Sequence, residues 1–185
     1  MRRIIILFLA AAFLISCNAN NTPEVKGAAD STGKMEAPNL PFTVDKTPDW
    51  ETGNPSHVAL AMNTLKAFVD NDMTGIKQYL ADSVEFYTDG IKFKGSRDSL
   101  IKVFTEFRGA LSRIDIKMHD YESVKSKSRG EEWVGMWYTE NDVNKAGVND
   151  SSMVMDDIKI VNGKVALIDS KGRKLPTEYN KFPAH

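Results

Sequence analysis

Val84-Glu85-Phe86-Tyr87-Thr88-Asp89-Gly90-Ile91-Lys92-Phe93 is where the chain changes its period, and reading that stretch decides the fold. A β-branched and aromatic run meets Asp89-Gly90 and resumes beyond it, which predicts a hairpin, because a type I′ turn needs positive φ at both central residues. Upstream the spacing is helical. Asn54-Pro55 supplies a cap and a first-turn proline, and Val58, Ala61, Met62, Leu65, Phe68 and Val69 then recur on one face. Asp72 caps a second, shorter helix marked by Met73, Ile76, Lys77 and Leu80. Downstream, Ser96 caps a third helix with Leu100, Val103, Phe104 and Phe107 on one side and Gly109 at its stop. The period then becomes two. Ile114, Ile116 and Met118 alternate with polar residues, as do Trp133, Gly135 and Trp137. Met153, Met155, Ile158 and Ile160 form a third run with a bulge expected near Asp156-Asp157, and Asn162-Gly163 turns into Val165, Leu167 and Asp169. The order α-α-β-β-α-β-β-β-β predicts an α+β fold over residues 54–175. In it a cone-shaped, curved antiparallel sheet wraps around three helices.

The stretches Phe68-Val69-Asp70-Asn71-Asp72-Met73-Thr74-Gly75-Ile76, Leu80-Ala81-Asp82-Ser83-Val84-Glu85-Phe86, Lys94-Gly95 and Ile160-Val161-Asn162-Gly163-Lys164-Val165 carry a resemblance. In order and spacing they resemble the nuclear transport factor 2-like superfamily, a cystatin-like fold, in its SnoaL-like branch. The resemblance covers about Pro55 to Lys171 and implies a pocket between the helices and the concave face of the sheet. Superfamily members isomerise, cyclise, dehydrate or merely bind, so function must be argued from the site. Ketosteroid isomerase-like members place a general-base aspartate just after the first strand. In this chain that position falls on Thr88, with Asp89 one residue late. The tyrosine such members use on the first helix to stabilise an oxyanion falls on Thr64, a shorter and poorer donor than a phenol.

The remaining carboxylates give two candidates and no assignment. Asp89 is either a displaced base at the pocket rim or, as the following Gly90 favours, an ordinary turn residue. Asp157 stands out among Asp156, Asp157 and Asp169 because of the expected bulge, while solvated strand positions are the favoured account of all three. His57, His119 and His185 have no metal-ligand spacing, so no metal or other cofactor is expected. The pocket expected from the aromatic and methionine residues is lined by Phe68, Tyr79, Phe86, Phe104, Trp133, Trp137 and Met155. Gly135 leaves a gap between two indoles that could serve as a ligand shelf. These residues predict an oily hollow that binds a small, largely apolar ligand and lacks a competent proton-transfer pair. A lyase, isomerase or cyclase using a pocket carboxylate or tyrosine is the alternative, and a module that dimerises through its sheet is a second.

Residues 1–16 are a separate matter. Arg2 and Arg3 precede an apolar run from Ile4 to Phe13 that closes on Leu14-Ile15-Ser16-Cys17, too short for a stable span. The segment resembles bacterial lipoprotein signals, which implies cleavage before Cys17 and acyl chains on that residue. Two or more acyl chains hold far better than one. Cys17 is the only cysteine, so no disulfide framework exists. Loss of Arg2 and Arg3 moves the formal charge from −1 to −3, and no basic stripe points to nucleic acid. Residues 17–53 are rich in Asn, Thr, Pro and Gly and read as a linker whose Trp50 can dock on the domain. Residues 176–185 read as a tail. The expected setting is the bacterial cell envelope, with the membrane as partner. By resemblance to lipoprotein sorting, Asn18 in place of aspartate favours the outer membrane.

Overall fold

The structure, a computed structural model, describes residues 40–46 and 48–176. The lipobox and Cys17 therefore lie outside the described residues. The chain divides into a unit spanning Met1–Thr43, described only over its last four residues, and a second unit, Val44–His185, which carries every element below.

Helix α1 spans Pro55–Val69, and the Asn54 side chain accepts the Ser56 N–H at 2.9 Å as its N-cap. Its most buried stripe is His57, Ala61, Thr64 and Ala67. Small side chains at the centre of that stripe bring the helix axis close to the sheet, and Leu65 and Phe68 flank it. The second helix expected after Asp72 is a single 3₁₀ turn, Gly75–Gln78. Asp72 Oδ1 accepts the Gly75 N–H at 2.7 Å, and Tyr79 N–H closes on the Ile76 carbonyl at 3.1 Å. Of its residues only Ile76 is buried, so no apolar stripe rewards a longer helix.

Strands β2 (Leu80–Thr88) and β3 (Ile91–Ser96) form the expected hairpin. Gly90 takes φ +79° while Asp89 stays out of the left-handed region, so this turn is not type I′. Asn162 and Gly163 do take φ 51° and 69°, matching that type. Helix α2, Arg97–Ala110, starts at Ser96, whose hydroxyl accepts the Ser99 N–H, and runs through Gly109 to its end one residue later. Four long strands follow: β4 (Leu111–Ser126), β5 (Glu132–Asn144), β6 (Asn149–Val161) and β7 (Lys164–Lys174).

The order across the sheet is β1-β4-β5-β6-β7-β2-β3, with every junction antiparallel except β7–β2. β1 is Trp50–Thr52, paired with Val124–Ser126 at the sheet edge. The far end of the segment read as linker is thus part of the sheet, fastened by Asp49, which accepts from the Ser126 hydroxyl and the Ser128 N–H. No bulge occurs at Asp156-Asp157. Asp156 pairs with Ser170 and Asp157 with Asp169 in regular register, and the shift comes between Lys159 and Ile160. With no extra residue to reset the alternation, β6 presents Val154, Asp156, Ile158 and Ile160 to the concave side. On β5 the same alternation turns Val134, Met136 and Tyr138 inward against the helices.

Candidate functional site

Between the helices and the concave face lies a cavity of about 260 Å³. Its body is apolar. Phe68 from α1, Phe86 from β2 and Phe104 from α2 meet edge to face, with ring centres 5.3 and 5.2 Å apart, and Ile114, Ile158 and Ile168 continue the lining. One wall differs. Strand β5 sends Tyr138, Glu140 and Asp142 to it, two residues apart and so about 7 Å apart along the strand, and Asp156 enters from β6, where it pairs with Met136 and so lies diagonal to Tyr138. Thr64, Thr88 and Ser170 complete the polar lining.

Tyr138 donates its phenolic proton to Asp156 Oδ2 at 2.9 Å, and both side chains are buried. Asp156 is only 4% exposed, and its other oxygen, Oδ1, has no partner. Burial pushes the Asp156 carboxyl above the usual carboxylate range, against the opposing pull of the Ser170 and Tyr138 hydroxyls. Burial also raises the Tyr138 phenol, with the neighbouring carboxylates adding to it. Glu140 is pushed up to about 7, first by burial and then by the charge of Asp142. Asp142 is itself raised by burial, and its Oδ1 is also buried without a partner. Among the described residues, no Lys, Arg or His lines this cavity. Arg108, which acts on Asp142 from α2, donates from Nε and Nη1 to the carbonyls of Val69 and Leu111 at 3.0 Å each.

The residues singled out in the sequence divide between the two faces of the sheet. Phe68, Phe86 and Phe104 line the cavity, as do Thr64 and Thr88, the positions where an isomerase would carry its tyrosine and its base. Tyr79 packs against the core from the 3₁₀ turn without reaching the cavity. Trp133, Trp137 and Met155 are corrections, since the alternation that turns Met136 and Tyr138 inward puts all three on the convex face. The gap expected over Gly135 is filled by the Trp137 ring, whose edge lies 2.8 Å from where a Cβ would stand. Asp157 is likewise convex, bound to Lys171 at 2.8 Å, and Asp89 sits exposed in its turn.

A second hollow of about 520 Å³ opens on the convex face beside Trp50, Trp133, Arg129 and Glu131, but its charges neutralise one another. Glu131 binds Arg129 at 3.0 Å and Lys159 at 2.9 Å. The acids of the cone have no such partners. Glu140 and Asp142 were missed in the sequence, although they continue the alternation Val134-Met136-Tyr138 by two more inward positions. Asp156 was passed over in favour of Asp157.

No protein-family model matches the chain, and no curated protein matches it. Solved structures do. An LEH-like epoxide hydrolase from M. tuberculosis superposes with a TM-score of 0.52 at 14% identity, over 63% of this chain and 81% of that one. AusH from Aspergillus nidulans gives 0.53 at 10%, over 66% and 87%. A Catenulispora acidiphila protein described as having a ketosteroid isomerase-like fold, solved in complex with trimethylamine, gives 0.50 at 5%, over 60% and 82%. The chain is an α+β cone of the ketosteroid isomerase-like kind, the fold expected for the nuclear transport factor 2-like superfamily. At these identities the likeness speaks for the fold.

Proposed function

We propose that the cone takes up one small, largely apolar molecule and holds its polar end against the wall of Tyr138, Glu140, Asp142 and Asp156. The observation that carries this reading is the pairing of an aromatic-lined cavity with a buried carboxyl oxygen, Asp156 Oδ1, that makes no hydrogen bond among the described residues. Such an atom is costly to bury unless something meets it. A cavity of about 150 Å³ holds benzene, so about 260 Å³ suits a ligand of about ten non-hydrogen atoms. The molecule is anchored at the bacterial envelope through acyl chains on Cys17.

The test is thermal denaturation of the full chain in detergent against a panel of small hydrophobic compounds, because a ligand that binds only the folded state raises Tm. The expected result is a saturable rise with compounds of that size. A flat response across the panel contradicts the proposal. The anchor is tested by feeding cells an alkyne fatty acid: label is expected on the wild-type chain and absent from Cys17→Ser, and an unlabelled wild type contradicts it.

A second reading, an enzyme that moves a proton on its ligand, is favoured by one feature that the sequence did not lead us to expect. Tyr138 and Asp156 are a phenol and a buried acid in direct contact, and Glu140 is poised near neutrality on the same strand face. Environments that separate the proton affinities of neighbouring groups are what acid–base catalysis requires. Asp156 is then the acid, backed by Tyr138, and Glu140 the base. Incubating a compound that raises Tm in D₂O tests it, with deuterium entering the ligand in wild-type protein and not in Glu140→Gln.

A further inference from the structure

The charge of the ligand is written in the wall that holds it. Glu140, Asp142 and Asp156 bring three carboxyl groups to one side of a cavity that, among the described residues, no basic side chain lines. Two of their oxygens, Asp142 Oδ1 and Asp156 Oδ1, are buried and unpartnered, and Asp156 is 4% exposed. An anionic ligand would meet only like charge there. A neutral ligand leaves the carboxyls as they are, kept from ionising chiefly by burial. A cation beside Asp156 relieves the strain there, since it gives the free Oδ1 a donor and lets the acid ionise beside an opposite charge.

The rest of the cavity fits the same guest. The rings of Phe68, Phe86 and Phe104 offer π faces and edges to an apolar body, and a desolvated aromatic site favours a cation further. The carboxyls are strung along the wall at strand spacing, and among the described residues no three acidic, His or Cys side chains converge closely enough to hold a metal ion. The arrangement therefore suits an organic cation with several donors more than a point charge. We infer that the polar end of the ligand is a protonated amine carried on an apolar body of about ten non-hydrogen atoms, seated between Asp156 and Glu140 with Asp142 farther along β5. This rests on the reading of the cone as a ligand pocket and adds to it the sign of the charge.

Other charged groups act on this wall without neutralising it. Arg108 from α2 favours ionisation of Asp142 but donates to two backbone carbonyls, and Asp150 from β6 opposes it. Lys171 from β7 favours ionisation of Asp156 across the sheet, and Asp157 opposes it. Lys171 is itself bound to Asp157 and Asp169 on the convex side. Near pH 6 the empty pocket accordingly retains protons that an entering ammonium group expels.

The experiment compares ligands of one shape and three charges. Binding of 2-phenylethylamine, 2-phenylethanol and phenylacetate to the full chain in detergent is measured by calorimetry at pH 6, then repeated with cyclohexylmethylamine, cyclohexylmethanol and cyclohexanecarboxylate. The expected result is tenfold or tighter binding of the amine than of the alcohol in at least one series, with no binding of the acid. Proton release should accompany the amine alone, read from the dependence of the heat on buffer. Glu140→Gln, which keeps the shape of the side chain, should reduce the preference for the amine at least threefold. An alcohol that binds as tightly as its amine overturns the inference while leaving the ligand pocket standing. If no member of either series binds, the pocket reading falls with it.

Discussion

Asp156 and Asp157 are neighbours in the chain and opposites in the molecule. Asp156 points into the cone, is almost wholly buried, touches Tyr138 and has no cation beside it. Asp157 points out, is half-exposed and holds Lys171. The same contrast extends over both faces of the sheet. Convex acids such as Glu131 and Asp157 meet Lys or Arg, and Glu131 is held down at about 2 by Lys159 and Arg129. Concave acids meet apolar surface and each other, and are pushed up. A carboxylate on the outside is solvated and paired at little net cost or gain. One on the inside is kept only if something other than stability requires it, which is why the concave set marks the functional face.

The comparison breaks most visibly on strand β5. Met136→Ala should lower the stability of the domain by about 2–5 kcal/mol, because it empties a fully buried site. Trp137→Ala, one residue along and facing out, should cost no more than about 1 kcal/mol. Urea unfolding of the two variants checks the assignment of faces, and equal losses would break it.

The pH dependence comes next in size. Glu140 binds its proton more tightly folded than unfolded, from the ordinary 4.5 up to about 7. Between those values the native state holds more protons, so stability should fall as pH rises through that window and then level off. The loss from Glu140 is about 3 kcal/mol. Buried Asp156 adds a loss of the same sign. Glu140→Gln should flatten the profile between pH 5 and 8.

Smaller again is the phenol. Tyr138→Phe strips Asp156 Oδ2 of its donor and should cost about 1–3 kcal/mol, seen as a lower urea midpoint at unchanged slope. Least of all is Asp157→Asn, which breaks a surface ion pair with Lys171 and should change stability by less than about 1 kcal/mol.

Much of the fold was legible in the sequence because it rests on local signals. Asn54-Pro55, Ser96 and Asn162-Gly163 each cap or turn the chain where their backbone chemistry requires, and the switch to period two after Gly109 marks the four long strands. The second helix shrank to a 3₁₀ turn because only Ile76 finds a buried place. The site was legible only in part. Phe68, Phe86 and Phe104 follow from helix and strand periodicity, but the choice of inner face on β5 and β6 was reversed. Large indoles at Trp133 and Trp137 outweighed the smaller inward set of Val134, Met136 and Tyr138, and a one-residue error in face exchanges core for surface along the whole strand. The assumed bulge at Asp156-Asp157 hid the same mistake on β6. Partners across the sheet settle the face, and those are long-range contacts that no local pattern encodes.

The central claim is that the acids of the cone are uncompensated. The most direct measurement is the titration of side-chain carboxyl carbons by NMR from pH 4 to 9, with Glu140→Gln and Asp156→Asn used to assign the signals. The account predicts a midpoint of about 7 for Glu140 and one raised above the ordinary carboxylate range for Asp156. Midpoints for both groups in the ordinary range of about 4 to 4.5 would contradict it.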